Sequence, residues 1–412
     1  MTDPIIIVGA GQAGLQVAES LRQEKHEGPI LLLGAEPHPP YNRPPLSKKW
    51  LQEPGEFNAL LIRGSEAIAR KGIELRTGAT VVAIDRGARR VRLADGSTLG
   101  YSGLALATGA RLRKLPVLGA DMPGVLGLRT LEEAGAIAVG LDSCRERGLP
   151  LVVIGGGFIG LEVAAAARKR DVAVTVLEGL PRLMSRVVAP IVSAAAERLH
   201  RSHGVEFTYE ARVTGIAGDG ERVRAVHTAD GREYPAGLVV TGIGIDAEDS
   251  LANAAGIACE RGIIVDDCAR TSDPLIFAAG DCCARRRVDG SLLRLESVQN
   301  ASVQGKAAAA SLLGREKPFT AAPWFWSDQY DVKFQMAGLS GGYDQVVTRG
   351  DLDKPAFSAY YYKAGRLVAV DSLNRIPDHM TARKLLDKGV SPTPEQAADT
   401  EFDLGSLVRA PA

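Results

Sequence analysis

The pattern G-x-G-x-x-G occurs twice in the sequence, each time between a short apolar run and a helix-like stretch. Gly155-Gly156-Gly157-Phe158-Ile159-Gly160 follows the apolar residues 151–154 and opens an alanine-rich segment, which leads to a second apolar run at 172–177 and the acid Glu178. Gly9-Ala10-Gly11-Gln12-Ala13-Gly14 follows residues 5–8, and a helical stretch to about Gln23 then leads to the apolar run 30–33. Few folds accept such a unit. The first glycine makes a tight strand-to-helix turn, the second lets backbone approach a pyrophosphate, and the third lets the helix pack closely on the strand. The free N–H groups at the helix start then hold phosphate. Two copies predict an α/β protein with two Rossmann-like dinucleotide-binding domains, and two bound cofactors that exchange electrons.

Each cradle has its own ligand signal. Glu178 stands 23 residues after Gly155, close to where an acid takes a ribose 2′-hydroxyl. A carboxylate there repels a 2′-phosphate, so NADH is expected over NADPH, with Arg182 near enough to work against that preference. The expected NADH contacts are Gly155, Gly157, Phe158, Ile159, Gly160, Glu162 and Glu178, with Gly242 and Gly244 in the closing strand near 237–245. In the first cradle Glu36 lies 27 residues after Gly9, the excess falling in residues 25–29. FAD is the expected ligand there, since an N-terminal cradle of this kind usually holds it.

Composition narrows the class. Of 412 residues, 49 are basic and 49 acidic, so no global field draws the chain to nucleic acid or to a membrane surface. The five cysteines (Cys144, Cys259, Cys268, Cys282 and Cys283) show no framework spacing, which suits a reducing cytoplasm. Residues 5–8 are used at once as a strand, leaving no expected signal peptide, and the apolar stretch 149–167 is broken by three glycines and Glu162. A soluble cytoplasmic protein is expected. His200 and His203 fall at i, i+3 on a helix without a third ligand nearby, so no metal site is expected.

Between the cradles, residues 39–48 read PPYNRPPLSK, a stiff segment that cannot be a central strand, with a short helix from Leu46 or Ser47. No cysteine precedes Cys144, which excludes a thiol relay through the first domain. Residues 91–101 read as a hairpin around Asp95-Gly96, residues 104–109 as a buried strand ending Ala107-Thr108-Gly109, and a helix follows Arg129-Thr130 to about Cys144. Asp230-Gly231 marks another hairpin. A strand then ends at Gly280-Asp281, where the acid can accept from a ribityl hydroxyl, and an alanine-rich helix runs from 296–300 to about Leu313. The expected division is a discontinuous FAD-binding domain (1–113 and 244–318), an inserted NADH-binding domain (114–243) and a C-terminal α+β domain (319–412). Strand-like alternation at 356–362 and 367–372 supports the last. Cys282-Cys283 are read as free buried thiols.

Taken together, the cradles, RPPLSK at 43–48, Ala107-Thr108-Gly109, Arg129-Thr130, Ala279-Gly280-Asp281, Glu296-Ser297-Val298 and WFWSDQ at 324–329 resemble the oxygenase-coupled NADH:ferredoxin reductases, over nearly the whole chain. The RPPLSK and WFWSDQ pieces carry the specificity of that resemblance. It implies an FAD enzyme that takes a hydride from NADH and passes single electrons to a [2Fe-2S] ferredoxin supplying a cytochrome P450 or Rieske oxygenase. It also implies FAD contacts from Ala13, Arg43, Lys48, Val81, Arg129, Asp281 and Val298, beside Gly9, Gly11, Gly14, Ala107, Thr108 and Gly109. Members often carry an acid directly after the glycine matching Gly34. Ala35 stands there, so Glu36 is expected to take the adenosine ribose. Lys48 and Glu162 are the expected pair beside flavin N5, and Trp326 is expected to shield the flavin. Arg285, Arg286, Arg287, Arg294 and Lys306 suggest a docking patch for an acidic ferredoxin, on a protein expected to be a monomer. A rubredoxin reductase, an NADH oxidase and an NADH-sensing flavoprotein resembling apoptosis-inducing factor stay open as alternatives.

Overall fold

The computed structural model describes residues 3–287 and 289–409. The chain divides into two compact units. The first comprises Met1–Asn42, Glu56–Arg111 and Ile245–Ala321; the second comprises Arg43–Gly55, Leu112–Gly244 and Ala322–Ala412.

The first unit is built on a five-stranded parallel sheet in the order Ile276–Ala278, Gly103–Leu106, Ile5–Val8, Ile30–Leu33, Ile73–Arg76. Ile5–Val8 is buried at every position, as expected of a parallel strand covered on both faces. Alternate residues go opposite ways. Ile5 and Ile7 join Leu15, Val17 and Leu21 of the helix Gln12–Gln23 and Ala307–Ala309 of the helix Val298–Leu312. Ile6 and Val8 pack instead with Val91, Leu93 and Ile263 on the other face. The expected hairpin is part of a three-stranded antiparallel sheet, Val81–Asp85, Arg90–Leu93 and Thr98–Gly100.

The second unit repeats the plan with the second cradle strand again in the middle: Val205–Thr208, Val174–Leu177, Leu151–Ile154, Leu238–Thr241, Val125–Gly127, all parallel. The expected helix after Thr130 spans Leu131–Arg147, started by a capping box between Thr130 and Glu133. A five-stranded antiparallel sheet forms the C-terminal part, in the order Trp324–Gln329, Val332–Gly338, Arg366–Leu373, Ala356–Lys363, Gln345–Asp351, followed by the helix Ile376–Lys388. Its Phe334, Phe357 and Tyr361 share a core with Leu161, Leu183 and Val192.

Residues 43–55, expected in the FAD-binding domain, pack within the second unit. Pro44–Ser47 forms a 3-10 turn and Lys49–Gln52 one helical turn. Leu51 is fully buried there among Ile137, Leu141 and Val163, and Arg170 Nη1 donates to its carbonyl at 2.9 Å. The proline-stiffened segment is thus an excursion held in the second unit with both Leu46 and Leu51 buried. Residues 322–412, most of the expected C-terminal α+β domain, group with the second unit, whose apolar core their sheet shares.

One buried acid makes stability depend on pH. Asp371 on the strand Arg366–Leu373 is 3% exposed and accepts a hydrogen bond from Tyr361, whose hydroxyl oxygen in turn accepts the Ala189 N–H at 2.9 Å. Burial pushes the Asp371 carboxyl up to about 7. A raised carboxyl favours the folded state at low pH, and the contribution is lost as pH climbs from about 4 through 7. At about 1.36 kcal/mol per pH unit the loss is on the order of 4 kcal/mol. Asp371→Asn should therefore be the more stable protein at pH 8, with a flatter stability curve between pH 4 and 7 in urea titrations. Parallel curves for the two proteins would remove Asp371 as the cause.

Candidate functional site

The glycines of the two cradles sort themselves by what a Cβ would strike. In the first, a Cβ on Gly9 would lie 2.0 Å from the Ala107 carbonyl oxygen, and one on Gly14 1.8 Å from the Gly9 oxygen. In the second, Gly155 would meet the Gly242 oxygen at 2.5 Å and Gly160 the Gly155 oxygen at 2.1 Å. Gly9 and Gly155 also share a φ of 110°, which disfavours any other residue. The middle glycines behave differently. Apart from its chain neighbours, a Cβ on Gly11 or Gly157 would meet no atom of the described residues within 4 Å, and both have ordinary extended backbone angles. Nothing in the chain demands glycine at these two positions. A pyrophosphate drawn onto the N–H groups of the helices Gln12–Gln23 and Phe158–Lys169 does, so both cradles fit a dinucleotide.

In the first unit, Ala107 is the residue that Gly9 abuts, Gly109 has a φ of 77°, and the Thr108 hydroxyl donates to the Glu248 carbonyl at 2.5 Å. Ala13 lies in the first helical turn, against Gly280, whose N–H donates to the buried Gln304 Oε1 at 2.7 Å. Asp281 follows directly, and Val298 opens its helix behind the Ser297 cap. Val81 begins its strand half-buried, opposite Leu93. Glu36 is half-buried and accepts from the Tyr41 hydroxyl at 2.5 Å, whereas Ala35 is exposed.

In the second unit, Glu178 is held at the mouth of its cradle by backbone. Oε2 accepts the Gly156 N–H at 2.6 Å and Oε1 the Leu180 N–H at 2.8 Å, which leaves lone pairs for ribose hydroxyls. Arg182, which the sequence set against an NADH preference, is spent elsewhere: it donates to Val188 O, Ser193 Oγ and Ser185 O. Gly242 abuts Gly155, Gly244 has a φ of 105°, Phe158 packs 4.9 Å from Phe325 between ring centroids, and Ile159 is exposed.

The same unit gathers a compact ionic group. Lys48 Nζ lies 2.8 Å from Glu162 Oε2 and also donates to Pro44 O at 3.2 Å. Ser47 donates to the same Oε2, and Ser327 Oγ donates to Oε1 at 2.5 Å. Glu162 is 2% exposed. Burial pushes its carboxyl upward, and the Lys48 ammonium with the two hydroxyls pulls it back. Arg43 Nη1 donates to the Arg129 carbonyl at 2.7 Å, fixing the proline segment on the residue before the Thr130 cap. Trp326 is half-buried beside Trp324, with 5.7 Å between centroids, and Arg383 lies over the Trp324 ring.

Sequence reasoning found Lys48 and Glu162 but missed Ser47 and Ser327. A signal existed. On the strand Trp324–Gln329, Phe325, Ser327 and Gln329 alternate with the tryptophans, so two polar residues share the face that carries Phe325 against Phe158. The basic cluster is thinner than its sequence suggests. Arg285 is taken up by Asp267, the Phe319 carbonyl and the Phe319 ring, and Arg294 pairs with Glu296; Arg286, Arg287 and Lys306 are exposed. Cys282 and Cys283 are buried and unbridged, with sulfurs 3.8 Å apart. Among the described residues no group of three or more His, Cys, Asp or Glu could hold a metal, and no helix is long and apolar enough to cross a membrane.

Residues 3–305 match the family described as pyridine nucleotide-disulphide oxidoreductase, and residues 324–408 match the reductase C-terminal family. The chain is 45% identical to rhodocoxin reductase of Rhodococcus erythropolis, over 97% of this chain and 93% of that one. Its fold is similar to the ferredoxin reductase for the CYP199A2 system from Rhodopseudomonas palustris, with a TM-score of 0.95 and 46% identity across 99% and 100% of the two chains. It is also similar to the reductase in the covalent putidaredoxin reductase–putidaredoxin complex, with a TM-score of 0.93 and 40% identity across 99% and 98%.

Proposed function

The chain belongs to the pyridine nucleotide-disulphide oxidoreductases, and from that premise we propose that it takes a hydride from NADH and passes single electrons to a [2Fe-2S] ferredoxin serving a cytochrome P450 or Rieske oxygenase. The family's cofactors are FAD and a nicotinamide dinucleotide. FAD is assigned to the first cradle and NADH to the second. The observation that carries the reading is the pair of middle glycines, Gly11 and Gly157, each with open space at the start of a cradle helix where a pyrophosphate would sit. Relatives named rhodocoxin reductase and a ferredoxin reductase for a CYP199A2 system support the acceptor class.

When bound, the flavin accepts hydride at N5 and returns electrons one at a time, which is the cofactor's own chemistry. The chain contributes position and charge. Glu178 offers carboxylate oxygens to a ribose diol and repels a 2′-phosphate, the basis for NADH over NADPH. Glu162 holds the Lys48 ammonium in one place, where its positive charge favours electron-rich reduced flavin. Trp326, half-buried on its strand, would shield the flavin when it is bound. The five cysteines are unbridged and no thiol enters the scheme, in keeping with a cytoplasmic enzyme.

The test is anaerobic addition of NADH to the purified yellow protein, followed by electron delivery to a panel of iron–sulfur proteins with cytochrome c as reporter. Bleaching by NADH and preference for a [2Fe-2S] ferredoxin over a rubredoxin are expected. A flavin that stays oxidised sinks the proposal. For docking, the exposed Arg286, Arg287 and Lys306 are the proposed contacts for an acidic ferredoxin. Rising salt should slow ferredoxin reduction, and Arg286→Glu with Arg287→Glu should cut it on the order of 10-fold at low salt while dye reduction holds steady. Equal salt response toward ferredoxin and dye would remove the patch.

A further inference from the structure

The hydrogen bonds around Glu162 do not stop at Ser327. Gln329 Nε2 donates to Ser327 Oγ at 3.2 Å, and Gln329 Oε1 lies 3.0 Å from His200 Nε2 on the helix Pro190–Ser202. Ser327, Gln329 and His200 are each fully buried. The far end of this chain determines its direction. Among the described residues His200 Nδ1 has no hydrogen-bond partner. A proton there would be a buried, unsatisfied donor, a costlier state than a bare lone pair, so the proton sits on Nε2. His200 then donates to Gln329 Oε1, the Gln329 amide donates to Ser327, and the single Ser327 proton points at Glu162 Oε1.

Reversing the chain would need a protonated Glu162 and a proton on the partnerless Nδ1. We propose that His200, acting through Gln329 and Ser327, is a positioning residue that keeps Glu162 a carboxylate aimed at Lys48. The arrangement is a clamp. An amide neither gains nor loses a proton near neutral pH, so no proton is relayed through Gln329. Lys48 is the only charged partner at Glu162 among the described residues, with Ser47 and Ser327 supplying hydroxyls. His200 is faced by Phe207 and by Tyr330, whose ring centre is 5.0 Å away and which stacks on His203, the cap of the same helix and the one titratable group whose charge acts on His200. Burial drives the His200 imidazole down to about 4, so the clamp stays neutral at its far end across physiological pH.

The protonation claim stands on its own, and its consequence for hydride transfer rests on the proposed role of Lys48 and Glu162. Gln329→Met keeps the volume and cuts His200 off from Ser327, which tests the part of His200; Ser327→Ala removes the hydroxyl on Glu162 and tests the last link alone. Infrared difference spectra of the FAD-bound proteins across pH should show no Glu162 carboxylic-acid band in the unaltered protein near neutral pH. In the variants the band should appear at a pH about one to two units higher than in the unaltered protein, and should vanish when Glu162→Gln is added. A carboxylic-acid band from Glu162 in the unaltered protein at pH 8, or no shift in either variant, overturns the proposal. Stopped-flow reduction by NADH over the same pH range separates the two ideas. An acid limb that moves with the infrared shift supports both; an unmoved limb beside a shifted band leaves the clamp standing and removes the pair from the chemistry.

Discussion

Lys48→Met is expected to slow reduction of the bound flavin by NADH about 10²–10³-fold, the usual effect of removing one aligned charge or donor from a reacting centre. The same change leaves the Glu162 carboxylate, 2% exposed, without its counter-ion. Removing one partner of a buried pair costs roughly 3–5 kcal/mol, so the single variant should also melt earlier. A slow and unstable enzyme would be ambiguous, and the double variant Lys48→Met with Glu162→Gln resolves it. A neutral amide needs no ammonium: its oxygen can still accept from Ser327, and its NH2 can donate to Ser47, whose hydroxyl turns to the Pro44 carbonyl. Stability should return while hydride transfer stays slow. Should the double variant regain the rate along with the stability, Lys48 would be a structural residue.

The second large effect is a contrast within one cradle. Gly160→Ala places a Cβ 2.1 Å from the Gly155 carbonyl oxygen, between a buried strand and its helix, where neither can retreat. A loss of about 3 kcal/mol or more is expected, read as a lower urea midpoint before any ligand is added. Gly157→Ala meets nothing in the protein, and its φ of −82° suits alanine, so folding should be unaffected. NADH binding should weaken about 10- to 100-fold, as the methyl displaces the pyrophosphate from charge-assisted hydrogen bonds worth about 1.5–3 kcal/mol each. The same contrast should hold for FAD retention between Gly14→Ala and Gly11→Ala. Equal NADH affinity in Gly157→Ala and the unaltered protein would show that the dinucleotide lies elsewhere.

Much of the site was legible because its rules are local. Gly155 to Gly160 and Gly9 to Gly14 carry strand, turn and helix within a few residues of each other, and the fully apolar runs before them state burial on both faces. Lys48 and Glu162 were reached by resemblance rather than by spacing; no periodic rule relates residues 114 positions apart. Other readings needed the partners of each side chain. Arg182, near enough in sequence to temper the NADH preference, donates to Val188, Ser185 and Ser193, and two of the five clustered cations are paired within the chain.

The sequence by itself determined the two strand–turn–helix cradles, their glycine positions and the acid at the mouth of the second, because each is written in a pattern local to a few tens of residues. Only the tertiary structure decided that residues 43–55 lie in the second unit, and that Ser47 and Ser327, 115 and 165 residues from Glu162, meet on its two oxygens. The reason is physical. A buried carboxylate takes its donors from whichever segments the apolar core brings alongside, and that choice is made by packing of Leu51 and of the C-terminal sheet, far from the acid in sequence.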